Sequence, residues 1–298
     1  MSSTTALSVP VRGALWMIGS AAGFAAMSAM IRPASVGLDA FEVVFFRNLF
    51  GLAFIAPILV RSRFAVLRTT RLPLHLARAV FFLCGMTVWF IAIPHIALVD
   101  AISLYFTSPL FITVLAALVL KERVRARRWT AVVIGLFGAL VILRPGFQDV
   151  SSAAILVLVN AAFWSCSAIM VRLLSRTESA TTIITHMFLW VTPLSLIPAL
   201  FVWREPSLDA LAWTVGVSAS SAFGHWCLAR AFTTAEASVI MPFDYTQLLF
   251  GALIGFFAFG EIPDAWTFAG AGIIAGAAIY IAQREAAHAR AGSTAAPR

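Results

Sequence analysis

Asp100, Ser103, Tyr105, Thr107 and Ser108 run directly into Pro109 inside the apolar stretch 97–120, which is long enough to cross a bilayer. A carboxylate, a phenol and three hydroxyls at this spacing suit recognition of a polar solute rather than bond-making. Tyr105 and Ser108 are three residues apart and share a helical face. Proline has no N–H and collides with the carbonyl four residues back, so the helix is expected to bend and release the Tyr105 carbonyl. In lipid a released carbonyl persists only where protein or a watery cavity faces it. A second stretch, 237–259, repeats the plan with Pro242, Asp244, Tyr245 and Gln247. Asp244 and Gln247 again share a face. Both apolar runs end in an acid, Glu122 in one and Glu261 in the other.

Other ionisable groups sit at depth. Arg47, Arg78, His186, His225 and Asp244 each lie several residues inside an apolar run, with Glu42 and Asp100 shallower. Such residues are functional candidates in a membrane. For Arg78 the alternative is snorkelling to the headgroups, and for the two histidines it is hydrogen-bonded packing. Arg47 with Asp100 or Glu42 forms a candidate outer gate or ion pair, and Asp244 a candidate inner one. An enzyme-like spacing, His95 with Asp100, has no soluble lobe beside it to hold a co-substrate. No Gly-rich phosphate loop, serine elbow or metal spacing appears. Cys84, Cys166 and Cys227 all lie in apolar runs and suggest neither metal nor disulfide. No cofactor is expected.

The elements that must carry these residues are membrane spans. Of 298 residues, 61% are hydrophobic and 11% charged, against roughly 25% charged in a soluble domain. The formal charge of +8 comes from basic residues set between apolar runs, which fits headgroups and topology rather than nucleic acid. Ten spans are predicted: 11–31, 41–60, 72–93, 97–120, 129–143, 153–174, 181–203, 210–232, 237–259 and 265–282. The fifth is short, with Arg127-Arg128 expected to stop it from starting earlier. Small residues at Gly19/Gly23, Gly135/Ala139, Gly251/Gly255 and Gly272/Gly276 should let helices approach closely.

Trp89, Trp129 and Gly135 recur as Trp226, Trp266 and Gly272, each 137 residues on. The chain is therefore a duplicated half, and paired interrupted helices in the two halves point to a transporter's binding site. Five spans per half is an odd number, so the second half enters from the opposite side as an inverted repeat. With the N-terminus inside, inner segments hold 16 Lys or Arg and outer segments hold 3, Arg32, Arg144 and Arg204. That bias places both termini in the cytoplasm.

These residues resemble the drug/metabolite transporter superfamily, in particular its EamA-type members. The likeness rests on Ala14-Leu15-Trp16 with Gly19-Ser20, on Ala162-Phe163-Trp164-Ser165, and on Arg47 in FFRNLFG. It rests further on Leu120-Lys121-Glu122, Gly260-Glu261 and VILRPG at 141–146. The resemblance implies an all-α membrane protein, with ten transmembrane helices as two inverted five-helix repeats around a central cavity. The repeats would cover 11–146 and 153–284, with 285–298 a flexible cytoplasmic tail. Helices 1, 3, 4, 6, 8 and 9 would build most of the cavity. It implies a carrier of the bacterial inner membrane acting as a monomer on a small polar metabolite. An amino-acid exporter is the leading case, with S-adenosylmethionine-type uptake as the alternative. The first span contains no acid, unlike small multidrug exporters, which counts against proton-coupled export of cationic drugs. Tyr105, Ser108, Tyr245 and Gln247 are the expected substrate contacts, with Trp16 and Trp164 as an aromatic wall.

The orientation has a direct check in a cysteine-free background. Ala126→Cys should resist an impermeant thiol reagent in cells with a permeabilised outer membrane, and Gln148→Cys should react. The reverse pattern would invert the topology.

Overall fold

Apolar runs in a bilayer must satisfy their own backbone, and every long element here is accordingly a helix. The computed structural model describes residues 9–61, 65–119, 121, 126–144, 151–235, 240 and 243–294. The first repeat holds α1 (Val9–Ala34), α2 (Ala40–Arg61), α3 (Leu72–Ala92), α4 (Leu98–Tyr105), α5 (Ser108–Val119) and α6 (Ala126–Leu143). The second holds α7 (Ser152–Leu174), α8 (Ala180–Phe201), α9 (Leu208–Thr234), α10 (Thr246–Phe259) and α11 (Ala265–Thr294). Together α4 and α5 form the fourth span, giving a ten-span, all-α membrane protein. Five stretches, 11–34, 72–95, 98–119, 152–174 and 181–201, are long and apolar enough to cross a membrane on length and composition alone.

Local signals start and stop these helices. Ser151, Ser179 and Ser207 cap α7, α8 and α9, each side chain accepting from the backbone N–H three residues on. Asp264 caps α11 in the same way, accepting from the Thr267 N–H at 2.7 Å. Gly260, at φ 68°, ends α10 in the left-handed conformation that glycine adopts without strain. Two helices run beyond expectation. The fifth starts at Ala126, taking in Arg127-Arg128, because a helix need not stop where the hydrocarbon does. The last continues to Thr294, through the Ala-rich segment expected to fray. Pro242, Glu122 and residues 145–146 lie outside the described residues.

The packing repeats with the sequence. α1 lies along α9, and their counterparts α7 and α3 lie along each other. α1 also meets α10, as α7 meets α4 and α5. The pair α2–α9 matches α8–α3, while α2–α8, α4–α10 and α6–α11 are each their own counterpart. This is the contact map of two inverted repeats related by a pseudo-two-fold axis. Outward faces keep Val133, Ile134, Phe137, Leu200 and Phe257 exposed, a lipid-facing rather than water-facing surface.

Close approach depends on particular glycines. A Cβ on Gly23 would sit 3.0 Å from Gly224 Cα, so α1 and α9 cross almost backbone to backbone. Gly138 and Gly270 do the same for α6 and α11, where a Cβ would come within 2.9 and 2.6 Å of the opposing carbonyl oxygen. A Cβ on Gly272 or Gly276 would meet nothing within 4 Å among the described residues, so that expected packing pair makes no close approach there. Gly270→Val should therefore destabilise the bundle by about 1–3 kcal/mol, the usual size of overpacking. In detergent it should lower the melting temperature measurably, whereas Gly272→Ala should leave it within error of the parent.

Candidate functional site

The broken fourth span organises the site. α4 ends at Tyr105, and Phe106 and Thr107 turn before Ser108 starts α5. The expected bend is thus a full break, and Pro109 occupies the first turn of α5, where a missing N–H costs nothing. Local hydroxyls serve the backbone on both sides. Thr107 Oγ1 donates to the Leu104 carbonyl at 2.7 Å, and Thr113 Oγ1 to the Pro109 carbonyl at 3.0 Å. From α7, Ser165 Oγ donates across to the Ser108 carbonyl at 3.0 Å.

The break opens onto a cavity of about 310 Å³ between the repeats. The fourth span contributes Tyr105, Phe106, Ser108, Pro109 and Ile112, and the ninth contributes Asp244, Tyr245 and Gln247. α3 adds Phe82, Met86, Trp89 and Phe90, and α7 adds Asn160 and Trp164. α1 supplies Phe24, Met27 and Ser28, α9 supplies His225, Leu228 and Phe232, and α2 supplies Arg47. Tyr105 stands between Trp89 and Trp164, with ring centroids 5.7 and 6.2 Å away. Phe82 lies 5.7 Å from Trp164. Tyr245 packs on Phe106 at 4.5 Å, joining the two interrupted spans across the pseudo-axis.

Seven of the nine residues singled out from the sequence line this cavity, Arg47, Asp244, Trp164 and the nearly fully buried Gln247 among them. Two do not line it. Trp16 lies two helical turns nearer the chain start than Phe24 and packs edge-to-face on Trp226 at 5.0 Å, towards the bundle exterior. Asp100 points at α11 instead, where it accepts from Thr267 Oγ1 at 2.7 Å.

The expected pairing of Arg47 with Asp100 or Glu42 is also absent. Arg47 is buried and donates through Nη1 to Asn48 Oδ1 at 2.9 Å and through Nη2 to Ser221 Oγ at 2.5 Å. Its guanidinium lies 5.7 Å from the Phe188 ring. Glu42 is taken up by two backbone N–H groups, Asp39 at 2.8 Å and Arg204 at 2.7 Å. Arg47 thus meets no carboxylate, and Asp244 no basic side chain, among the described residues, although both line the same cavity. His225 Nδ1–H donates to the Ser221 carbonyl at 2.8 Å, fixing that tautomer.

Each end of the bundle is tied. At the end away from the N-terminus, Arg32 forms a 2.6 Å ion pair with Glu261 and donates to the Ile93 and Ile96 carbonyls. The second Glu261 oxygen accepts from the Leu98 N–H at 2.8 Å. Arg144 pairs with Asp264 at 2.6 Å. The Thr267 N–H, with Arg144, holds the Asp264 carboxyl below the usual range. At the other end Glu178 accepts from Thr69 and binds His75, whose ring stacks on His186 at 4.3 Å. Arg78 does not snorkel. It is buried and donates to the Ile183 carbonyl at 3.0 Å. Phe232, about half exposed, marks the cavity's approach to this end. Sequence reasoning passed over Asn160 and the Arg32–Glu261 pair. The matching glutamates at the two run ends were the available signal for the latter.

The profile of the EamA-like transporter family matches residues 11–144 and again 151–283. A riboflavin transporter of Vibrio cholerae is 32% identical over 285 residues, covering 93% of this chain and 94% of that protein. An S-adenosylmethionine uptake transporter of Rickettsia prowazekii is 28% identical, covering 94% and 95%. The pseudopaline exporter CntI of Pseudomonas aeruginosa is 32% identical, covering 91% and 96%. A solved crystal structure at 15% identity superposes with a TM-score of 0.62 over 91% of this chain and 98% of its own, a likeness of fold.

The wall residues separate from the packing residues in a simple experiment. Alanine at Tyr105, Ser108, Tyr245 or Gln247 should raise the half-saturation concentration for transport about three- to tenfold, the worth of roughly one side-chain contact. Trp16→Ala should leave that concentration unchanged. Membrane abundance of each variant, measured by immunoblot, controls for folding.

Proposed function

Because the chain belongs to the EamA-like transporter family, it is a multi-pass membrane carrier of small molecules, and we propose that its substrate is a flat, ring-bearing metabolite of the riboflavin type. The observation that carries this reading is the lining. Nine aromatic side chains, Phe24, Phe82, Trp89, Phe90, Tyr105, Phe106, Trp164, Phe232 and Tyr245, surround a cavity of about 310 Å³. That volume suits a small organic ligand. Aromatic faces favour offset or edge contacts with another ring system. Arg47, Asp244, Asn160 and Gln247 supply polar groups for a hydroxylated tail and ring heteroatoms.

Amino-acid export, the leading expectation from the sequence, fits this wall less well. A zwitterion would find Arg47 and Asp244, but its small body would leave most of the aromatic surface without a partner. S-adenosylmethionine-type transport is the second reading. Asp244 and the surrounding rings attract a cationic group, and an adenine ring meets the same faces. In either case the carrier works by alternating access as a monomer of the bacterial inner membrane, with both termini cytoplasmic. The tied end away from the N-terminus and the approach at Phe232 correspond to one access state.

Proteoliposomes containing the purified protein test the assignment. Labelled riboflavin should enter saturably and faster when unlabelled riboflavin is trapped inside, and S-adenosylmethionine should compete weakly or not at all. Counterflow of S-adenosylmethionine without riboflavin would favour the second reading. Counterflow of amino acids alone would return the substrate to that class.

A further inference from the structure

Asn160 is held in an unusual way for a residue in a ligand cavity. It projects from α7 and is 5% exposed, and its Nδ2 donates to the Gly85 carbonyl on α3 at 2.8 Å. A carbonyl oxygen can only accept, so the amide nitrogen must face Gly85 and the amide cannot flip. Its other end, Oδ1, is therefore committed to a different direction, and it is buried without a hydrogen-bond partner among the described residues. Glycine at 85 leaves the room this contact needs, since a Cβ there would lie 3.1 Å from Phe163 Cβ and 3.5 Å from Asn160 Nδ2.

One turn along α3 from Gly85, Trp89 presents a second unpartnered polar atom, the indole Nε1–H. Both residues line the cavity. Around them stand Tyr105, between Trp89 and Trp164, and Phe82, against Trp164. Buried polar atoms are nearly always satisfied, and here an acceptor on α7 and a donor on α3, both on residues of the cavity wall, are buried without a partner among the described residues. We propose that Asn160 reads the edge of the substrate ring: Oδ1 accepts from a ring N–H, and Trp89 Nε1–H donates to the carbonyl beside it. The ligand class is a planar heterocycle with an imide or lactam edge. This rests on the reading of the cavity as a ring carrier and narrows it to rings that carry N–H next to C=O.

The isoalloxazine ring of riboflavin has such an edge, and methylation of its imide nitrogen removes the donor while leaving the rest of the molecule. Binding of riboflavin and of N3-methylriboflavin to the purified protein can be followed by flavin fluorescence. The protein should hold riboflavin about ten- to a hundredfold more tightly than the methylated analogue, as expected when a buried acceptor loses its donor. In Asn160→Ala, which removes the acceptor and makes room for the methyl group, the two affinities should fall within about twofold of each other. Gln247→Ala should weaken both flavins alike and keep their ratio. Equal binding of the two flavins by the parent protein would overturn the role of Asn160 while leaving the ring-carrier reading intact, as would an unchanged ratio in Asn160→Ala. If neither flavin binds, the ring-carrier reading falls, and this assignment falls with it.

Discussion

A break in a membrane-spanning helix is tolerated only where its freed backbone groups find partners, since each one left bare in hydrocarbon costs several kcal/mol. The rest of the site depends on how the break at Phe106–Thr107 meets this constraint. Thr107, Thr113 and, from the other repeat, Ser165 supply hydroxyls to the carbonyls around it. With the backbone served locally and from α7, the side chains on either side of the break are released for other work. Tyr105 and Ser108 therefore both face the cavity although they belong to different helices. The same α7 that supplies Ser165 carries Trp164 and Asn160, so the helix that supports the break also furnishes the adjoining wall.

Internal duplication makes such an arrangement possible twice over. α1 against α9 and α3 against α7 are equivalent crossings, and glycines bring the first of them nearly to backbone contact. The equivalence is not complete. α4 also packs on α11, more closely than their counterparts α10 and α6 pack on each other among the described residues. That extra contact lies at the end where Arg32, Glu261, Arg144 and Asp264 gather. The two halves share a plan, but the ends of the bundle are held differently.

How much of this was legible depended on whether an argument needed depth or direction. Tyr105 and Ser108 could be picked out because hydroxyls beside a proline are out of place in a plain anchor. Ten spans and their duplication followed from apolar run lengths and from Trp and Gly recurring at one offset. Direction was hidden. Trp16 and Trp164 sit in matching first-helix patterns, yet Trp164 faces the cavity and Trp16 packs on Trp226. Arg47 looked like a partner for the shallower Asp100 at the same outer side, whereas its hydroxyl partner Ser221 is 174 residues away on a helix that only the fold brings near. Asn160 carried no local signal at all, since one amide in an apolar helix looks the same whether or not its oxygen is satisfied.

Glu261 spends its two carboxylate oxygens on different tasks. One neutralises Arg32 from the end of α1, and the other accepts the Leu98 N–H at the start of α4. A charge that loses its partner and a helix terminus that loses its acceptor are each unfavourable, and displacement of Glu261 would cause both. Moving the α10–α11 turn away from α1 and α4 would break both contacts, whereas moving α1 alone would break only the ion pair. A single carboxylate thus ties together three elements, the end of α1, the start of α4 and the α10–α11 turn.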